Sequence, residues 1–266
     1  MSPDPVATVS IPNFRDVGGH VRADGRRVRS GLLFRSVALD AASDEDLATL
    51  ARLGITTVFD MRRPDEQARR PDRLPEGAHL VSLDVFADGE EAARADIGAV
   101  IAHLREPERV ETTLTVEDMD RFQAESYHDL VMLGSAREAY RRFFGMIAAN
   151  DGASLVHCTG GKDRTGWAVA ALLELLGVPR AEIYADYLIS DEAIRQFFAA
   201  AIDDFEARGG QRAVIERMFG ARRAYLSSAF ATVASEFGSM ERYFEDGLDL
   251  DVETAARLRA TFLEKR

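Results

Sequence analysis

The chain has 266 residues, and 33 Lys and Arg against 45 Asp and Glu give it a formal net charge of −12 at pH 7. That charge argues against sequence-independent binding to nucleic acid, which needs a basic protein surface. Hydrophobic residues make up 46% of the chain, so we expect a folded protein with a buried core. The one cysteine, Cys158, excludes an internal disulfide and a multi-thiolate metal site.

The sequence shows no membrane-spanning segment and no signal peptide. No apolar run reaches the roughly 18 residues that a transmembrane helix requires. Residues 1–10 are polar, contain Pro3 and Pro5, and lack the basic start and apolar stretch of a signal peptide. We therefore expect a cytoplasmic protein without an integral membrane segment, with export that lacks a recognisable signal left open. The amino-acid sequence gives no indication of the oligomeric state.

The first predicted elements are strands and one helix. Leu32–Arg35 has a weak strand pattern. Residues 43–54 predict a helix, because leucines recur at helical spacing between a serine cap and a glycine stop. Ile55–Asp60 and His79–Leu83 are short runs of β-branched and apolar residues, which predict buried strands.

A long segment without a strand pattern, about residues 85–135, comes next. Phe122–Met132 predicts a helix within it. An earlier helix is predicted from apolar residues at helical spacing, namely Ala93, Ile97, Val100, Ile101 and Leu104. A connection of this length is typical of an insertion that covers a site as a lid, and two helices that complete the core are the equally weighted alternative.

The second half of the chain predicts one more strand and then only helices. Ala153–His157 predicts a buried strand, and Trp167–Leu176 is apolar nearly all round, which indicates a buried helix. From Pro179 onward the pattern is helical, with breaks near Gly209, Gly220, Gly238 and Gly247. Alternating strands and helices predict an α/β fold, in which helices flank a central, mostly parallel sheet. We expect a single domain over residues 1–266, with the helical insertion and an all-helical C-terminal third.

The segment most informative about chemistry is His157–Gly166, HCTGGKDRTG, between a predicted buried strand and a predicted buried helix. Ligands bind at the carboxyl ends of parallel strands, where this turn falls. A helix beginning near Asp163 directs its free N–H groups and the positive end of its dipole into the turn. Gly160 and Gly161 allow successive N–H groups to converge. The turn therefore predicts an anion site with Cys158 at its base.

The spacing of Cys158 and Arg164 indicates phosphoryl transfer through the cysteine. A thiol at a helix N-terminus beside an arginine is ionised at neutral pH and attacks phosphorus, while the planar guanidinium binds phosphate oxygens. The resulting cysteinyl-phosphate is hydrolysed by water. No metal or other cofactor is expected, because Arg164 and the backbone amides stabilise the charge. The predicted phosphate-binding residues are Thr159, Gly160, Gly161, Lys162, Arg164 and Thr165.

Three aspartates are candidates for the proton donor to the leaving group. Asp163 is the first of them, because a carboxylate inside an anion-binding loop opposes phosphate binding unless it has a chemical role. The alternative for Asp163 is a carboxylate that stabilises the helix dipole. Asp84 and Asp88, just past a predicted strand, are the other candidates.

Other residues near the loop have weaker assignments. Lys162 supplies positive charge at the mouth of the site, Thr165 can donate a hydrogen bond to the sulfur, and His157 can orient the loop. Arg62, which follows a predicted strand, is a candidate for binding an acidic substrate. Residues 13–16 form either a turn that packs the N-terminus or a wall of the pocket.

The loop resembles that of the cysteine-dependent phosphatases with a Cys-x5-Arg signature, and its Gly-Lys-Asp-Arg run is most similar to the bacterial tyrosine/serine phosphatase family. Matches to this family extend along nearly the whole chain, with the region from about 88 to 125 matching least. They include NFRDVGG at 13–19, LFRS at 33–36, LGI at 53–55, FDMR at 59–62, LGVP at 176–179 and ADYL at 185–188.

The resemblance implies a tyrosine-phosphatase-like fold and a set of site residues. Cys158 would be the nucleophile, Arg164 the phosphate binder and Asp163 the proton donor within the loop. The separate Trp-Pro-Asp loop of the animal enzymes has no match, which gives Asp163 more weight. A lysine such as Lys162 is associated with polyanionic lipid headgroups in such enzymes.

The leading hypothesis is therefore a metal-independent phosphatase that hydrolyses phosphotyrosine, and also phosphoserine or phosphothreonine, in proteins. A phosphoinositide phosphatase is the alternative within enzymes. A phosphate-binding module without turnover is the alternative outside them, and the intact set of Cys158, Asp163 and Arg164 argues against it.

Overall fold

The computed structural model describes residues 10–88, 115–149 and 151–264. Within these ranges five strands form one sheet in the order β1-β2-β5-β3-β4. The strands are β1 (Arg15–Asp16), β2 (Leu33–Ser36), β3 (Ile55–Asp60), β4 (His79–Ser82) and β5 (Ala153–His157). All neighbouring pairs are parallel except β1 and β2, which are antiparallel. The predicted α/β fold with a mostly parallel sheet is confirmed.

Helices flank this sheet and make up all of the regular structure described after β5. Those before β5 are α1 (Asp44–Arg52), α2 (Pro64–Arg69), α3 (Val116–Met132) and α4 (Gly134–Ala149). Those after it are α5 (Asp163–Leu175), α6 (Arg180–Phe197), α7 (Ala199–Ala207), α8 (Arg212–Phe219), α9 (Arg223–Glu236), α10 (Met240–Arg242), a π-helical turn (Tyr243–Gly247) and α11 (Val252–Phe262). The predicted all-helical C-terminal third is thereby confirmed, and no described helix is long and apolar enough to cross a membrane.

The strand predictions succeed where both faces of the strand are buried. β3 and β5 have the predicted bounds, and all five residues of β5 are buried. Leu155 and Val156 point to opposite sides of the sheet and join different hydrophobic clusters. The prediction of a buried strand at His79–Leu83 is wrong about burial, because most residues of β4 are exposed. Among the described strands, β4 lies at the edge of the sheet and pairs with β3 alone.

The start of α1 is specified by its sequence. The hydroxyl of Ser43 accepts a hydrogen bond from the N–H of Asp46 at 3.1 Å, and the carboxylate of Asp46 accepts one from the N–H of Ser43. This reciprocal pair satisfies two N–H groups that the first turn leaves free. At the other end Gly54 adopts a φ of 74°, so the predicted glycine stop is confirmed.

The described part of the predicted insertion belongs to the core. The predicted helix Phe122–Met132 is the second half of α3, which packs against α4, α8 and α9. Met119, Tyr127 and Leu130 on α3 are fully or almost fully buried. The helical spacing from Ala93 to Leu104 lies outside the described residues.

Candidate active site

The loop after β5 lies at the carboxyl edge of the sheet, between the ends of two neighbouring strands. His157 at the end of β5 is in register with Ser36 at the end of β2 and Asp60 at the end of β3. The N–H of Ala38 donates to the carbonyl of Thr159 at 3.2 Å, so the segment after β2 contacts the loop directly. The expected position at the carboxyl ends of parallel strands is therefore observed.

Two side chains fix the orientation of the glycine peptides in this loop. Nδ2 of Asn13 donates to the carbonyls of Gly160 and Gly161, both at 3.1 Å, and Nη2 of Arg35 donates to the carbonyl of Gly161 at 2.7 Å. In a trans peptide the next N–H points away from the carbonyl. The N–H groups of Gly161 and Lys162 therefore point away from Asn13 and Arg35, and no backbone carbonyl of the described residues accepts them.

Gly161 is required by the geometry of this loop. Its φ is 62°, and a Cβ built on it would lie 2.0 Å from the carbonyl oxygen of Ser36. A side chain at this position would both strain the backbone and push the loop away from the end of β2. The close approach between loop and strand thus depends on the missing side chain.

Arg35 is itself oriented by an ion-pair network. Asp186 on α6 lies 3.0 Å from Nη1 of Arg35 and 2.8 Å from Nε of Arg15. Burial lowers the pKa of Arg35 to about 10 and by itself raises that of Asp186, but the two arginines outweigh burial and lower the pKa of Asp186. Asn13 therefore contacts the loop directly, and Arg15 supports it through Asn13 and Asp186, whereas the wall of a pocket at residues 13–16 stays a prediction.

Arg164 is locked by a carboxylate that the sequence did not single out. Nη1 and Nη2 of Arg164 donate to the two carboxylate oxygens of Glu66 at 2.6 and 2.9 Å. The hydroxyl of Thr159 donates to the same carboxylate, and the ring of Phe86 lies 5.6 Å from the guanidinium carbon. A planar fork bound on one edge in this way leaves its remaining N–H groups in a fixed direction.

Glu66 and Arg164 each stabilise the charged form of the other. Burial alone would raise the pKa of Glu66, but Arg164 and hydrogen bonds from Arg164, Thr159 and the Arg63 N–H lower it to about 2. Burial alone would lower the pKa of Arg164, but Glu66, and after it Cys158 and Asp60, raise it well above the ordinary value. Arg164 is therefore a permanent cation close to Cys158.

Cys158 directly follows β5, and Thr165 lies in the first turn of α5. Cys158 is 3% exposed and Thr165 is completely buried. Oγ1 of Thr165 has no hydrogen-bond partner within the described ranges. A buried hydroxyl without a partner costs free energy, so Oγ1 of Thr165 is a candidate donor to a bound ligand.

Asp163 is the first residue of α5, and its carboxylate is only partly exposed. Oδ1 of Asp163 accepts a hydrogen bond from the hydroxyl of Tyr127 at 2.7 Å. The hydroxyl of Tyr187 lies 2.5 Å from that of Tyr127. The sequence did not indicate either tyrosine, since α3 and α6 reach the loop from distant parts of the chain.

Lys162 differs from the expectation of a positive charge at the mouth of the site. Its side chain is buried, and Nζ donates to the carbonyls of Met218 and Gly220 at 2.9 and 3.0 Å. Nζ also lies 3.3 Å from Oδ1 of Asp163. The ammonium therefore ties the loop to the end of α8, because its two carbonyl acceptors belong to Met218 in the last turn of that helix and to Gly220 directly after it.

His157 and Arg62 belong to a buried network beneath the loop. Nδ1 of His157 lies 3.2 Å from the carbonyl of Cys158, in agreement with the expected role of orienting the loop, and Nε2 lies 3.1 Å from Asp72. Nη2 of Arg62 lies 2.8 Å from both Asp60 and Asp72. The suggestion that Arg62 binds substrate is wrong, since its guanidinium is buried and already paired.

This network also explains a cluster that resembles a metal site. Ligand atoms of Asp60, Asp72 and His157 lie within 4.8 Å of one another. The guanidinium of Arg62 already lies between the two carboxylates and forms an ion pair with each of them. The cluster is therefore better described as an ion-pair network than as a cation site.

The two other aspartates occupy different environments. Oδ2 of Asp88 accepts the N–H of Ser135 at 2.6 Å, so this carboxylate caps the start of α4. Oδ1 of Asp84 accepts the N–H of Phe86 at 3.0 Å. Burial raises the pKa of Asp84, partly offset by that hydrogen bond and by nearby arginines that include Arg164. Asp84 thus lies near the site, whereas Asp88 is committed to a helix.

Comparisons with known proteins agree with the chemistry of this loop. The chain is 35% identical over 255 residues to a protein of Cupriavidus necator whose name assigns it provisionally to the tyrosine-protein phosphatases, covering 96% of this chain and 86% of that one. It is 32% identical over 271 residues to the triple specificity protein phosphatase PtpB of Mycobacterium tuberculosis, covering 94% and 96%.

A solved structure with a similar description is more distant. The crystal structure of TpbA from P. aeruginosa in complex with phosphotyrosine aligns over 78% of this chain and 90% of that chain, with 17% identity and a TM-score of 0.28. A family model described as the tyrosine phosphatase family, in contrast, matches residues 6–264. The chain belongs to the tyrosine phosphatase family.

Proposed function

We propose that this enzyme hydrolyses phosphotyrosine without a metal ion, through a cysteinyl-phosphate on Cys158. One observation supports this most directly. The carbonyls of Gly160 and Gly161 are bound by Asn13 and Arg35, so the following N–H groups point to the opposite side of these peptides, where the proposal places the phosphate that Cys158 attacks. Arg164 completes this donor set from the first turn of α5. Fixed donors of this kind stabilise the charge that develops on a transferring phosphoryl group.

The proposed reaction has two displacements. In the first, Sγ of Cys158 forms a bond to phosphorus, the bond to the tyrosyl oxygen breaks, and Asp163 gives that oxygen a proton. In the second, Asp163 takes a proton from water, the water oxygen bonds to phosphorus, and the sulfur leaves as a thiolate. The hydroxyl of Thr165, which has no partner among the described residues, is available to donate to that thiolate.

The range of substrates is part of the proposal. The name of the mycobacterial relative describes triple specificity, and it covers nearly the whole of this chain. We therefore propose activity on phosphoserine and phosphothreonine as well, and a phosphoinositide is the further substrate class whose hydrolysis should be measured.

We also propose that the chain acts as one cytoplasmic domain over residues 1–266.

The decisive experiment measures phosphate release in the presence of a chelator. The wild-type protein is expected to hydrolyse a phosphotyrosyl peptide with EDTA present, and Cys158→Ser is expected to bind the peptide without releasing phosphate. Activity that survives Cys158→Ser would contradict the mechanism. Binding by the wild type without any release would identify a phosphate-binding module. Parallel rates on phosphoserine peptides and on a soluble phosphoinositide rank the substrate classes.

The proton donor is tested with leaving groups of different quality. Asp163→Asn is expected to lower kcat by about 10²- to 10⁴-fold for phenyl phosphate, whose leaving group needs a proton, and much less for p-nitrophenyl phosphate. Asp84→Asn is the matched comparison, because burial raises the pKa of Asp84 and keeps it protonated to higher pH. If Asp84→Asn shows this pattern and Asp163→Asn does not, Asp84 is the donor.

A further inference from the structure

A chain of two buried hydroxyl groups ends on one oxygen of Asp163. Tyr127 on α3 donates to Oδ1 of Asp163 at 2.7 Å. Its hydroxyl has one proton, so in the 2.5 Å contact between the two tyrosines Tyr187 is the donor and Tyr127 the acceptor. The hydrogen bonds therefore run in one direction, from Tyr187 through Tyr127 to the carboxylate.

Oδ1 is also the oxygen nearest to a cation. Nζ of Lys162 lies 3.3 Å from Oδ1, and the ammonium is held there by two backbone carbonyls. No hydrogen bond to Oδ2 of Asp163 is formed by any residue in the described ranges. The two oxygens of this carboxyl group are thus in different environments, with both neighbouring donors on the same one.

The tyrosines keep their protons under all ordinary conditions. Both side chains are completely or almost completely buried. Burial, followed by the nearby charge of Asp163, raises the pKa of Tyr127 well above its ordinary value. Tyr127 therefore acts as a hydrogen-bond donor and does not compete with Asp163 for proton transfer.

We infer that Tyr127 is a positioning residue for the proton donor. Donation to Oδ1 fixes the rotation of the carboxyl group and leaves Oδ2 as the oxygen that binds the transferable proton, since the protonated oxygen of a carboxylic acid is the poorer acceptor. Tyr187 orients the hydroxyl of Tyr127 in turn. This inference rests on the proposed function, in which Asp163 protonates the leaving group and the geometry of that transfer limits the rate.

The experiment uses the full chain and two aryl phosphates. Tyr127→Phe is expected to lower kcat for phenyl phosphate by about 10- to 100-fold, as expected for a misplaced catalytic group. For p-nitrophenyl phosphate, whose leaving group needs no proton, kcat should change less than about threefold, and KM should be unchanged for both substrates. In the double variant with Asp163→Asn, Tyr127→Phe should have no further effect, because it acts through that carboxyl group.

Tyr243→Phe is the matched control. Tyr243 is also fully buried, and its hydroxyl accepts a hydrogen bond from Trp167 on the same helix as Asp163. This variant is expected to lose stability without any change in the ratio of the two kcat values. If Tyr127→Phe does not fold, Tyr187→Phe removes the outer hydroxyl and should show the same leaving-group pattern with a smaller loss.

The outcomes separate this inference from the proposed function. Equal losses on both substrates, or an additive loss in the double variant, would overturn the positioning role while Cys158→Ser remains inactive. A wild-type protein that releases no phosphate, or an active Cys158→Ser, would overturn the proposed function and this inference with it. A leaving-group effect that appears in Tyr127→Phe and Asp163→Asn, appears more weakly in Tyr187→Phe, and is absent from Tyr243→Phe would establish the role.

Discussion

Arg164 shows how a single site residue depends on a partner from another part of the chain. The Cys-x5-Arg spacing identifies the arginine, but the carboxylate that fixes its direction, Glu66, lies 98 positions away on α2. Removing one partner of a buried ion pair is strongly destabilising, because the other charge is left buried without compensation. Glu66 itself has no local sequence signal, because an isolated Glu on a short helix is usually a surface residue.

We expect Glu66→Gln to lower kcat/KM for phosphotyrosyl peptide by about 10²-fold. The amide retains the shape of the side chain, but one oxygen becomes a donor that faces Arg164, so the guanidinium is displaced. Glu138→Gln, which alters an exposed pair with Arg141, is the control and should leave kcat/KM unchanged. Equal activity of Glu66→Gln and the wild type would show that Arg164 needs no such lock.

Thr165→Val is expected to slow the second displacement. The Thr165 hydroxyl has no partner among the residues that the structure describes, and replacing it by a methyl group removes the proposed donor to the departing thiolate. One lost hydrogen bond corresponds to a decrease of about 10-fold in kcat. Rapid-mixing measurements should then show a burst of one equivalent of phenol before the steady state. Thr232→Val, whose hydroxyl bonds within α9, should show neither effect.

At the scale of elements, local pattern and tertiary contact contribute differently. The bounds of β3 and β5 and the cap of α1 follow from short stretches of sequence, because burial on both faces and a capping serine leave a clear local pattern. The exposure of β4 was mispredicted, since an apolar run does not reveal whether a strand lies at the edge of a sheet. The loop before α5 depends on both kinds of information. Its glycines are visible in the local sequence, whereas Asn13 and Arg35, which bind its carbonyls, come from distant parts of the chain.

Gly161→Ala tests how closely this loop must approach β2. The new Cβ would lie 2.0 Å from the Ser36 carbonyl at a φ of 62°, so we expect a displaced loop and a loss of about 10²-fold in kcat/KM. Gly54→Ala is a matched control with a φ of 74° and open space around the Cβ. Its backbone strain should lower stability by about 1–2 kcal/mol and leave kcat/KM unchanged. Similar activity losses in both variants would contradict a local effect.

At the scale of the whole molecule, the charge of −12 is compatible with an anion site because the positive groups are concentrated. Arg164, Lys162 and the start of α5 lie together at one loop, and Arg15 and Arg35 lie directly behind it. Each of these cations is paired or bonded to carbonyls, so the site is preorganised before any substrate binds. The same buried pairs make the stability of the fold depend on pH.

We expect the thermal midpoint to be highest between about pH 4.5 and 6.5. The pKa of Asp72 is lowered from 3.8 to about 2. Burial by itself would raise this pKa, but the opposing effects of His157 and Arg62 are together larger. Its stabilisation is present above its unfolded pKa and is lost as pH falls toward 2, as for Glu66. The pKa of His157 is raised because Asp60 and Asp72 outweigh burial, so its stabilisation is lost as pH rises through the folded value.

The measurement is the thermal midpoint from pH 2 to 9 for the wild type and Asp72→Asn. The wild-type midpoint should fall steeply below pH 4, and Asp72→Asn should have a lower midpoint at pH 6 and a shallower fall in acid. Asp65→Asn, which removes an exposed carboxylate, is the control and should follow the wild type. A wild-type midpoint that stays constant from pH 5 to 2 would contradict the contribution of these pairs.

The sequence by itself determined the alternation of strands and helices, the position of the loop between β5 and α5, and the spacing of Cys158 and Arg164 within it. These features depend on residues within about ten positions of one another, where periodicity, caps and spacing have direct physical meaning. Only the tertiary structure decided that Glu66 binds Arg164, that Lys162 is buried, and that Tyr127 contacts Asp163. Those contacts join elements far apart in the chain, and their partners are selected by packing, which leaves no local pattern to read.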